Sequence, residues 1–310
     1  MKVSILMVTY NHEEFIAKAL DSILMQRTNF EYEIVIGEDC STDNTRNIII
    51  GYKERYPDKF KLLLNDTNIG MHRNGAQTWQ ACTGEYIAIL EGDDYWTSAD
   101  KLQKQVDFLD NNPECVICFH NVTEIYIDCS RESHNFISKK WKDFYTIDDL
   151  FIGNFMPSPS IMYRGGLVKE IPEWFSTLKL GDWPLHILHA LHGTIGYIDE
   201  TMAVHVNHQG GVWSTMNYAE RYKAMLPVYD YLYVRLGHKY RKQLALKSHE
   251  LNTRIAECYE DIDMFHEAKY YVHKSMLDHH IVSKKSSKML IRLYLPRLYK
   301  IIKQMKYVNS

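Results

Sequence analysis

The stretch Leu90-Glu91-Gly92-Asp93-Asp94-Tyr95-Trp96 is the most informative part of this 310-residue chain. It places three carboxylates directly after the apolar run at residues 86–90, which has the length and composition of a buried strand. Acids at the end of a buried strand are costly unless a partner compensates their charge. Because hard oxygen ligands suit Mg²⁺ and Mn²⁺, we predict a divalent cation that carries a diphosphate. The alternative is an ordinary turn rich in Gly and Asp.

Strand and helix patterns alternate along the first two thirds of the chain. Apolar runs predict strands at residues 3–10, 32–36, 60–64, 85–90, 115–127 and 196–205. Helical patterns lie between them, with predicted N-caps at Asn11, at Ser41 or Thr42, and at Ser98. This alternation indicates an α/β fold, with a mainly parallel sheet and flanking helices.

Polar clusters follow three of these strands, at residues 9–11, 38–43 and 91–94. Ligands of parallel sheets bind beyond the carboxyl ends of the strands. Three such clusters at one edge are far more typical of a binding site than of isolated turns.

The composition excludes several classes of protein. With 45% hydrophobic and 24% charged residues, the chain suits one large folded domain plus a smaller one. A net charge of −3 gives no reason to expect nucleic-acid binding. No apolar run reaches the roughly 18 residues of a membrane-spanning helix, and the N-terminus resembles a strand rather than a signal peptide. We therefore expect a cytoplasmic protein, with its six cysteines reduced.

Taken together, the motifs resemble those of the family 2 glycosyltransferases, which have the GT-A fold. The resemblance covers residues 3 to about 214 and rests on residues 3–11, 38–43, 68–70, 84–87, 91–94 and 181–183. It implies inverting transfer of a sugar from a nucleotide diphosphate donor. Such a displacement needs a base for the acceptor hydroxyl and a counter-charge for the leaving diphosphate.

The resemblance also implies roles for individual residues. Asp182 matches the catalytic base, and Asp39 matches the contact to the donor base. The other predicted donor-binding residues are Thr9, Tyr10, Asn11, Asn74, Glu91 and Asp93. The predicted metal ligands, for Mn²⁺ or Mg²⁺, are Asp93, Asp94 and His208. Family members commonly have Asp where this chain has Glu91, so we expect metal contact at the two aspartates instead.

Each assignment has a plainer alternative. Asp39, Asp43 and Asp182 could cap the helices that follow them, and His208 could be an ordinary loop histidine. Tyr95 and Trp96 could stack on an acceptor sugar or close the core beneath the acidic motif. Three histidines share one face of a predicted helix: His186, His189 and His192. Their spacing resembles that of a metal-binding row, but it is more typical of a packing or solvated face.

The last third of the chain lacks these motifs and has helical periodicity. Residues 257–271 resemble one helix–turn–helix unit of the tetratricopeptide type. Residues 281–310 carry eight cations, no acid and several apolar side chains. A basic amphipathic segment can lie on an anionic membrane surface, but it can equally be a solvated helix that packs on its neighbours.

We therefore predict a GT-A catalytic domain at residues 1–214 and a helical region at 215–310. The expected function is metal-dependent, inverting transfer of a sugar to a glycan or lipid-linked acceptor in surface polysaccharide biosynthesis. Peripheral attachment to the inner face of the cell membrane is a further expectation. The alternatives are a nucleotidyltransferase, although residues 9–14 lack the usual Gly-rich basic phosphate loop, and a non-catalytic scaffold that binds nucleotide-sugars.

Overall fold

The computed structural model describes residues 1–208, 216–297 and 299. The chain divides into two compact units, Met1–Thr177 with Gly181–Gln209 and Leu178–Leu180 with Gly210–Ser310. The predicted domain boundary between residues 214 and 215 lies outside the described residues.

The first unit contains one sheet of ten strands. The strands are β1 Val3–Thr9, β2 Tyr32–Glu38, β3 Phe60–Leu64, β4 Tyr86–Ile89, β5 Tyr95–Trp96, β6 Cys115–Tyr126, β7 His134–Asn135, β8 Phe144–Tyr145, β9 Met162–Arg164 and β10 Thr194–Asn207. Their order is β3-β2-β1-β4-β9-β6-β10-β5, with β7 beside β6 and β8 beside β10. The pairs among β3, β2, β1 and β4 are parallel, as is β6 with β10. Antiparallel β9 separates these two groups.

Helices lie between the strands of the first unit and make up the second. Those of the first unit are α1 Ile16–Leu24, α2 Thr45–Arg55, α3 Met71–Ala81, α4 Lys101–Asn111, α5 Ile147–Leu150 and α6 Asp182–Ala190. Those of the second unit are α7 Tyr218–Arg235, α8 His238–Glu260, α9 Phe265–Leu277 and α10 Lys284–Tyr294. The α/β prediction is thus confirmed, and so is the helical character of the described residues after 216.

The predicted helix starts were wrong by several residues. Asn11 does not cap α1, which begins at Ile16. Its backbone has a positive φ of 56°, and its side-chain Oδ1 accepts a hydrogen bond from the backbone N–H of Thr42. Asn11 therefore ties two loops together instead of starting a helix. The next helix, α2, begins at Thr45, not at residue 41 or 42.

The two longest strands, β6 and β10, pair in parallel with irregular register. Between Ile198 and Thr201, β10 advances by three residues while β6 advances by one. A further extra residue lies between Thr201 and Ala203. The extra residues Asp199 and Glu200 are exposed. These β-bulges let a long strand continue to the site while its charged residues remain in solvent.

Trp96 closes the core directly beneath the acidic motif. Its ring is buried, and its indole N–H donates to the carbonyl of Pro159 at 2.9 Å. The packing alternative is therefore right for this residue. The ammonium group of Lys101 lies 3.9 Å from the ring centroid.

In the second unit, α8 and α9 form a helix–turn–helix, as residues 257–271 predicted. The apolar side of α10 packs against this pair: Met289 and Leu293 join a core cluster with Ala256, Ala268 and Val272. Two of the cations of α10 also pair with acids of α8. Helix α10 thus packs on its neighbours, while residues 298 and 300–310 of the basic segment lie outside the described residues. Within the described ranges, every helix is too short or too polar to cross a membrane.

Lys101 generates a prediction about pH, because its buried Nζ has no hydrogen-bond partner in the described part of the chain. Burial lowers the pKa of its amine to about 7. Between about pH 7 and its ordinary pKa of 10.5, the folded protein binds fewer protons here than the unfolded chain. Stability from this group therefore rises with pH across that window.

Lys101→Met should remove this rise, and near pH 7 it should increase the free energy of unfolding by about 1–3 kcal/mol. The gain should shrink by about pH 9. Urea unfolding at both pH values measures this, with half-exposed Lys104→Met on the same helix as the control. A stability difference between wild type and Lys101→Met that is the same at both pH values would contradict the interpretation.

Candidate functional site

The carboxyl ends of β1, β2 and β4 bring the predicted polar clusters to one edge of the sheet. Thr9 pairs with Glu38 at the ends of β1 and β2, and the N–H of Asp39 donates to the carbonyl of Thr9 at 3.1 Å. On the other side of β1, the N–H of Gly92 meets the carbonyl of Val8 at 3.3 Å. The predicted convergence of residues 9–11, 38–43 and 91–94 is therefore observed.

Glu91, Asp93 and Asp94 form a compact acidic cluster, with one carboxylate oxygen of each within 4.8 Å of the others. Asp94 is only 2% exposed, and its Oδ1 accepts a hydrogen bond from the backbone N–H of Val206 in β10. Among the described residues, Asp94 Oδ2 and Asp93 Oδ1 have no hydrogen-bond partner. The cluster thus offers two buried oxygens that receive no hydrogen bond from the part of the chain that the structure describes.

Burial and mutual repulsion shift the acidity of this cluster. Burial, together with the charges of Asp93 and Asp94, raises the pKa of Glu91 well above its ordinary value. Burial also raises the pKa of Asp94 to about 7. A cation at this position would relieve both effects, so these carboxylates fit a divalent metal ion.

Two imidazoles lie beside Asp93. His208 Nε2 is 3.0 Å from Asp93 Oδ2, and His12 Nε2 is 3.9 Å from the same oxygen. Burial tends to raise the pKa of Asp93, but the hydrogen bond to His208 and both imidazole charges outweigh it and lower the pKa. His208, which the resemblance pointed to, therefore lies in the site. His12 was not predicted, and its only signal was its place just after the first strand.

Gly92 allows this close packing. A Cβ atom at Gly92 would lie 2.7 Å from both His12 Nδ1 and Thr9 Oγ1, which is closer than atoms can approach. The Thr9 hydroxyl is itself 3.2 Å from His12 Nδ1. Thr9 is thus buried against His12, while its neighbour Tyr10 is exposed at the same edge.

Asp39 anchors the loop that follows β3. Its Oδ1 accepts from the backbone N–H of Ile69 and its Oδ2 from that of Gly70, both at 2.9 Å. The helix-cap alternative is therefore wrong for Asp39. Asp43 instead supports the start of α2, because its Oδ1 accepts from the N–H of Thr45 at 2.9 Å.

Asn74 lies beneath the same loop and is 1% exposed. Its amide N–H donates to the carbonyl of Gly37, and its Oδ1 accepts from the amides of Asn65 and Gln77. The structure thus gives Asn74 a supporting position, and its contact with a donor stays a prediction.

Asp182 is the first residue of α6 and lies close enough to the acidic cluster to raise the pKa of Glu91 further. Its Oδ2 accepts a hydrogen bond from the amide of Asn154 at 2.7 Å. Burial raises the pKa of Asp182, although the Asn154 amide and the N–H of Trp183 oppose the shift. Asn154 is a second residue that the sequence did not reveal.

The histidine row on α6 is mainly a packing face. His186 and His189 are buried, and His186 Nδ1 lies 2.6 Å from the hydroxyl of Tyr163. Burial lowers the pKa of His186 to about 3 and that of His189 to about 4, so both are neutral at physiological pH. The packing alternative is therefore right for these two residues.

A further charged group lies on paired positions of β6 and β10. His205 is opposite Glu124 in the register, and its Nδ1 lies 3.4 Å from Glu124 Oε1. Burial alone would lower the pKa of His205, but Asp94, Glu124 and Glu91 together raise it to about 9. His205 thus supplies positive charge beside the acidic cluster, a role that the sequence did not indicate.

Residues 4–171 match the model of glycosyl transferase family 2. The chain belongs to this family. It is 42% identical to Rv1520, an uncharacterized protein of Mycobacterium tuberculosis, over 222 aligned residues. The aligned region covers 71% of this chain and 63% of Rv1520. It is also 32% identical over 119 aligned residues to TarS, the poly(ribitol-phosphate) β-N-acetylglucosaminyltransferase of Staphylococcus aureus. That region covers 38% of this chain and 20% of TarS.

Solved structures confirm the GT-A fold. Residues 1–349 of S. aureus TarS in complex with UDP-GlcNAc superpose with a TM-score of 0.67 at 19% identity, covering 100% of this chain and 93% of that one. The mannosyltransferase PcManGT of Pyrobaculum calidifontis, in complex with GDP-Man and Mn²⁺, gives a TM-score of 0.59 at 16% identity, covering 99% and 84%.

The anchoring role of Asp39 predicts a loss of stability on its conservative replacement. Asp39→Asn turns an NH₂ group towards one of the two backbone N–H donors, which should lower the free energy of unfolding by about 1–3 kcal/mol. Urea unfolding measures the loss, with exposed Asp58→Asn as the control. Equal stability of the two variants would show that the two N–H groups do not depend on this carboxylate.

Proposed function

We propose that this chain is an inverting, metal-dependent glycosyltransferase that acts on a nucleotide-sugar donor and a glycan or lipid-linked acceptor. The observation that carries the proposal is the Asp182 carboxylate, whose side chain is 35% exposed, beside an acidic cluster in a member of family 2. Two oxygens of that cluster, Asp93 Oδ1 and Asp94 Oδ2, have no hydrogen-bond partner among the described residues. One carboxylate can act as base while the others hold a cation. The chain spans only 63% of the length of its mycobacterial relatives, so this activity is assigned to the catalytic unit.

The donor is assigned to the edge formed by the loops after β1, β2 and β4. Two neighbours of the same fold are described with UDP-GlcNAc and with GDP-Man, which supports a nucleotide-sugar. Tyr10 is exposed at this edge and available for stacking, while Asn11 and Asp39 hold the adjoining loops in place. We assign these three residues and Thr9 to the nucleotide pocket.

The metal is assigned to Asp93, Asp94 and His208. Asp93 Oδ1 and Asp94 Oδ2, which have no hydrogen-bond partner within the described ranges, fit a divalent ion together with the nearby His208 imidazole. When bound, such an ion neutralises charge on the leaving diphosphate. Mn²⁺ in the complex of PcManGT supports a metal of this class.

Asp182 is assigned as the general base. It would accept the proton of the acceptor hydroxyl as that oxygen bonds to the anomeric carbon from the face opposite the diphosphate. The bond between the anomeric carbon and the diphosphate oxygen breaks in the same step, which inverts the configuration. Burial raises the pKa of Asp182 and so makes it a stronger base, and the Asn154 amide fixes the carboxylate.

The acceptor is assigned to the class of surface polysaccharides and their lipid-linked precursors. TarS, which this chain resembles in fold and in part of its sequence, is named for a poly(ribitol-phosphate) acceptor. That name supports a polymeric glycan acceptor of the same broad class.

The expected result for Asp182→Asn is a loss of transfer of about 10²–10⁴-fold, because the acceptor proton has no base. Nucleotide binding should stay within a few-fold of wild type, since Asp182 does not hold the nucleotide.

A panel of UDP- and GDP-sugars with Mn²⁺, assayed first by thermal shift and then by sugar release, identifies the donor.

Asp148→Asn is the matched control, because Asp148 is an exposed aspartate in the first turn of α5. Calorimetric titration with the nucleotide and a melting curve should accompany each kinetic measurement. Near-normal transfer by Asp182→Asn would refute the base and leave Asp182 as a residue of the helix start.

Association with an anionic membrane surface is assigned to the outer side of α10. Lys284, Lys288 and Ile291 are exposed there at helical spacing, and Leu295 is exposed just after the helix, so cations and apolar side chains lie together. This arrangement supports peripheral attachment at the inner face of the cell membrane.

The double variant Lys284→Glu/Lys288→Glu should weaken binding to anionic vesicles by at least about tenfold, at roughly 1 kcal/mol for each lysine removed from the surface. Binding to neutral vesicles should not change, and added salt should reduce the difference. Cosedimentation measures both, with Lys239→Glu/Lys242→Glu on exposed positions of α8 as the control. Equal sedimentation of the two double variants with anionic vesicles would exclude this surface.

A further inference from the structure

His12 lies in the site, but the proposed function leaves it without a role. One ligand atom each of His12, Asp93 and His208 lies within 4.8 Å of the others. We propose that His12 is a direct ligand of the metal, so that two imidazoles and a carboxylate select a transition-metal ion such as Mn²⁺ over Mg²⁺. The inference rests on the proposed function, because it concerns the metal of the same site.

The distances suit a shared ion. Ligand atoms about 2.0–2.2 Å from a metal ion lie at most about 4.4 Å from one another. His208 Nε2 and His12 Nε2 lie 3.0 Å and 3.9 Å from the same oxygen of Asp93. Both separations are within that limit. The ligand atoms of His12 and His208 lie within 4.8 Å of each other, so a small movement of the side chains lets one ion contact all three residues.

The surroundings of His12 orient its ring for this role. Histidine ligands typically have their second ring nitrogen held by a hydrogen-bonding group. The buried hydroxyl of Thr9 lies 3.2 Å from His12 Nδ1, which leaves Nε2 turned towards Asp93. Gly92 gives the ring its space, since a Cβ atom there would lie 2.7 Å from His12 Nδ1.

A second, independent feature points to an ion at the same place. Asp94 is 2% exposed, and its Oδ2 has no hydrogen-bond partner in the described part of the chain. Asp94 belongs to the acidic cluster that shares Asp93 with the two imidazoles. The carboxylate group and the imidazole group thus share the Asp93 side chain, which places an unsatisfied acidic oxygen next to the proposed ligands.

The donor set determines which ion is preferred. Mg²⁺ favours oxygen ligands and gives up its water reluctantly. Imidazole nitrogens suit transition metals, while Mn²⁺ also accepts carboxylates. A centre with His12 and His208 should therefore bind Mn²⁺ at least about tenfold more tightly than Mg²⁺.

The test uses the full chain, freed of metal, with MnCl₂ alone and with MnCl₂ plus UDP or GDP. The electron paramagnetic resonance signal of free Mn²⁺ gives the Mn²⁺ affinity, and competition with Mg²⁺ gives the preference for Mn²⁺ over Mg²⁺. Electron spin echo envelope modulation detects nitrogen bound to Mn²⁺. Wild type should show two imidazole nitrogens. His12→Gln and His208→Gln should each show one.

His12→Gln should also weaken Mn²⁺ binding by at least about tenfold. Even the loss of a group that only orients a metal ligand lowers metal affinity by about 10–100-fold, and we expect the loss of a ligand to cost at least as much. Gly92→Ala should act in the same direction, because it displaces His12 without removing it. His192→Gln, at an exposed position, is the matched control and should behave as wild type. Melting curves show whether each variant is folded.

Three results would overturn the inference: no nitrogen modulation in wild type, an unchanged signal in His12→Gln, or Mg²⁺ binding as tight as that of Mn²⁺. Failure of the proposed function looks different. Nitrogen-coordinated Mn²⁺ without transfer from any nucleotide-sugar would refute the proposed function but support the metal site. Transfer without nitrogen coordination would support the proposed function but refute His12 as a metal ligand.

Discussion

The site depends on one electrostatic constraint: carboxylates are packed together at the edge of a sheet where solvent reaches them poorly. Asp94 is held by the N–H of Val206, and Asp93 lies against two imidazoles. Each nevertheless keeps one oxygen without a hydrogen-bond partner among the residues that the structure describes. Such an arrangement is stable only if positive charge is nearby or arrives with a ligand. His205 supplies compensating charge beside this cluster. Gly92 has no side chain, which lets His12 and Thr9 pack close to the cluster.

Much of the fold follows from local patterns in the sequence. Each long strand is an apolar run, and the direction of parallel strands places their carboxyl ends together, so the loops after β1, β2 and β4 were expected at one edge. Short strands such as β7 and β8, of two residues each, have no such pattern. Their pairing depends on the neighbouring strand, not on their own composition.

The residues that sequence reasoning missed owe their roles to contacts between distant segments. His12 matters because the chain returns twice to the same place, with Asp93 and with His208. Asn154 matters because a loop brings its amide to Asp182. Asn11 has the composition of a helix cap but is used to join two loops. Such roles are set by register and loop path, which a single sequence does not specify.

The bulges of β10 control which side chains face the acidic cluster. Side chains along a strand alternate between the two faces of the sheet, so the number of residues in the bulges fixes the phase of that alternation for everything that follows. Deleting one residue at Asp199 or Glu200 would leave the strand paired while exchanging the faces of His205 and Val206. Residues that touch no functional group thus act as a spacer, and their number matters more than their identity.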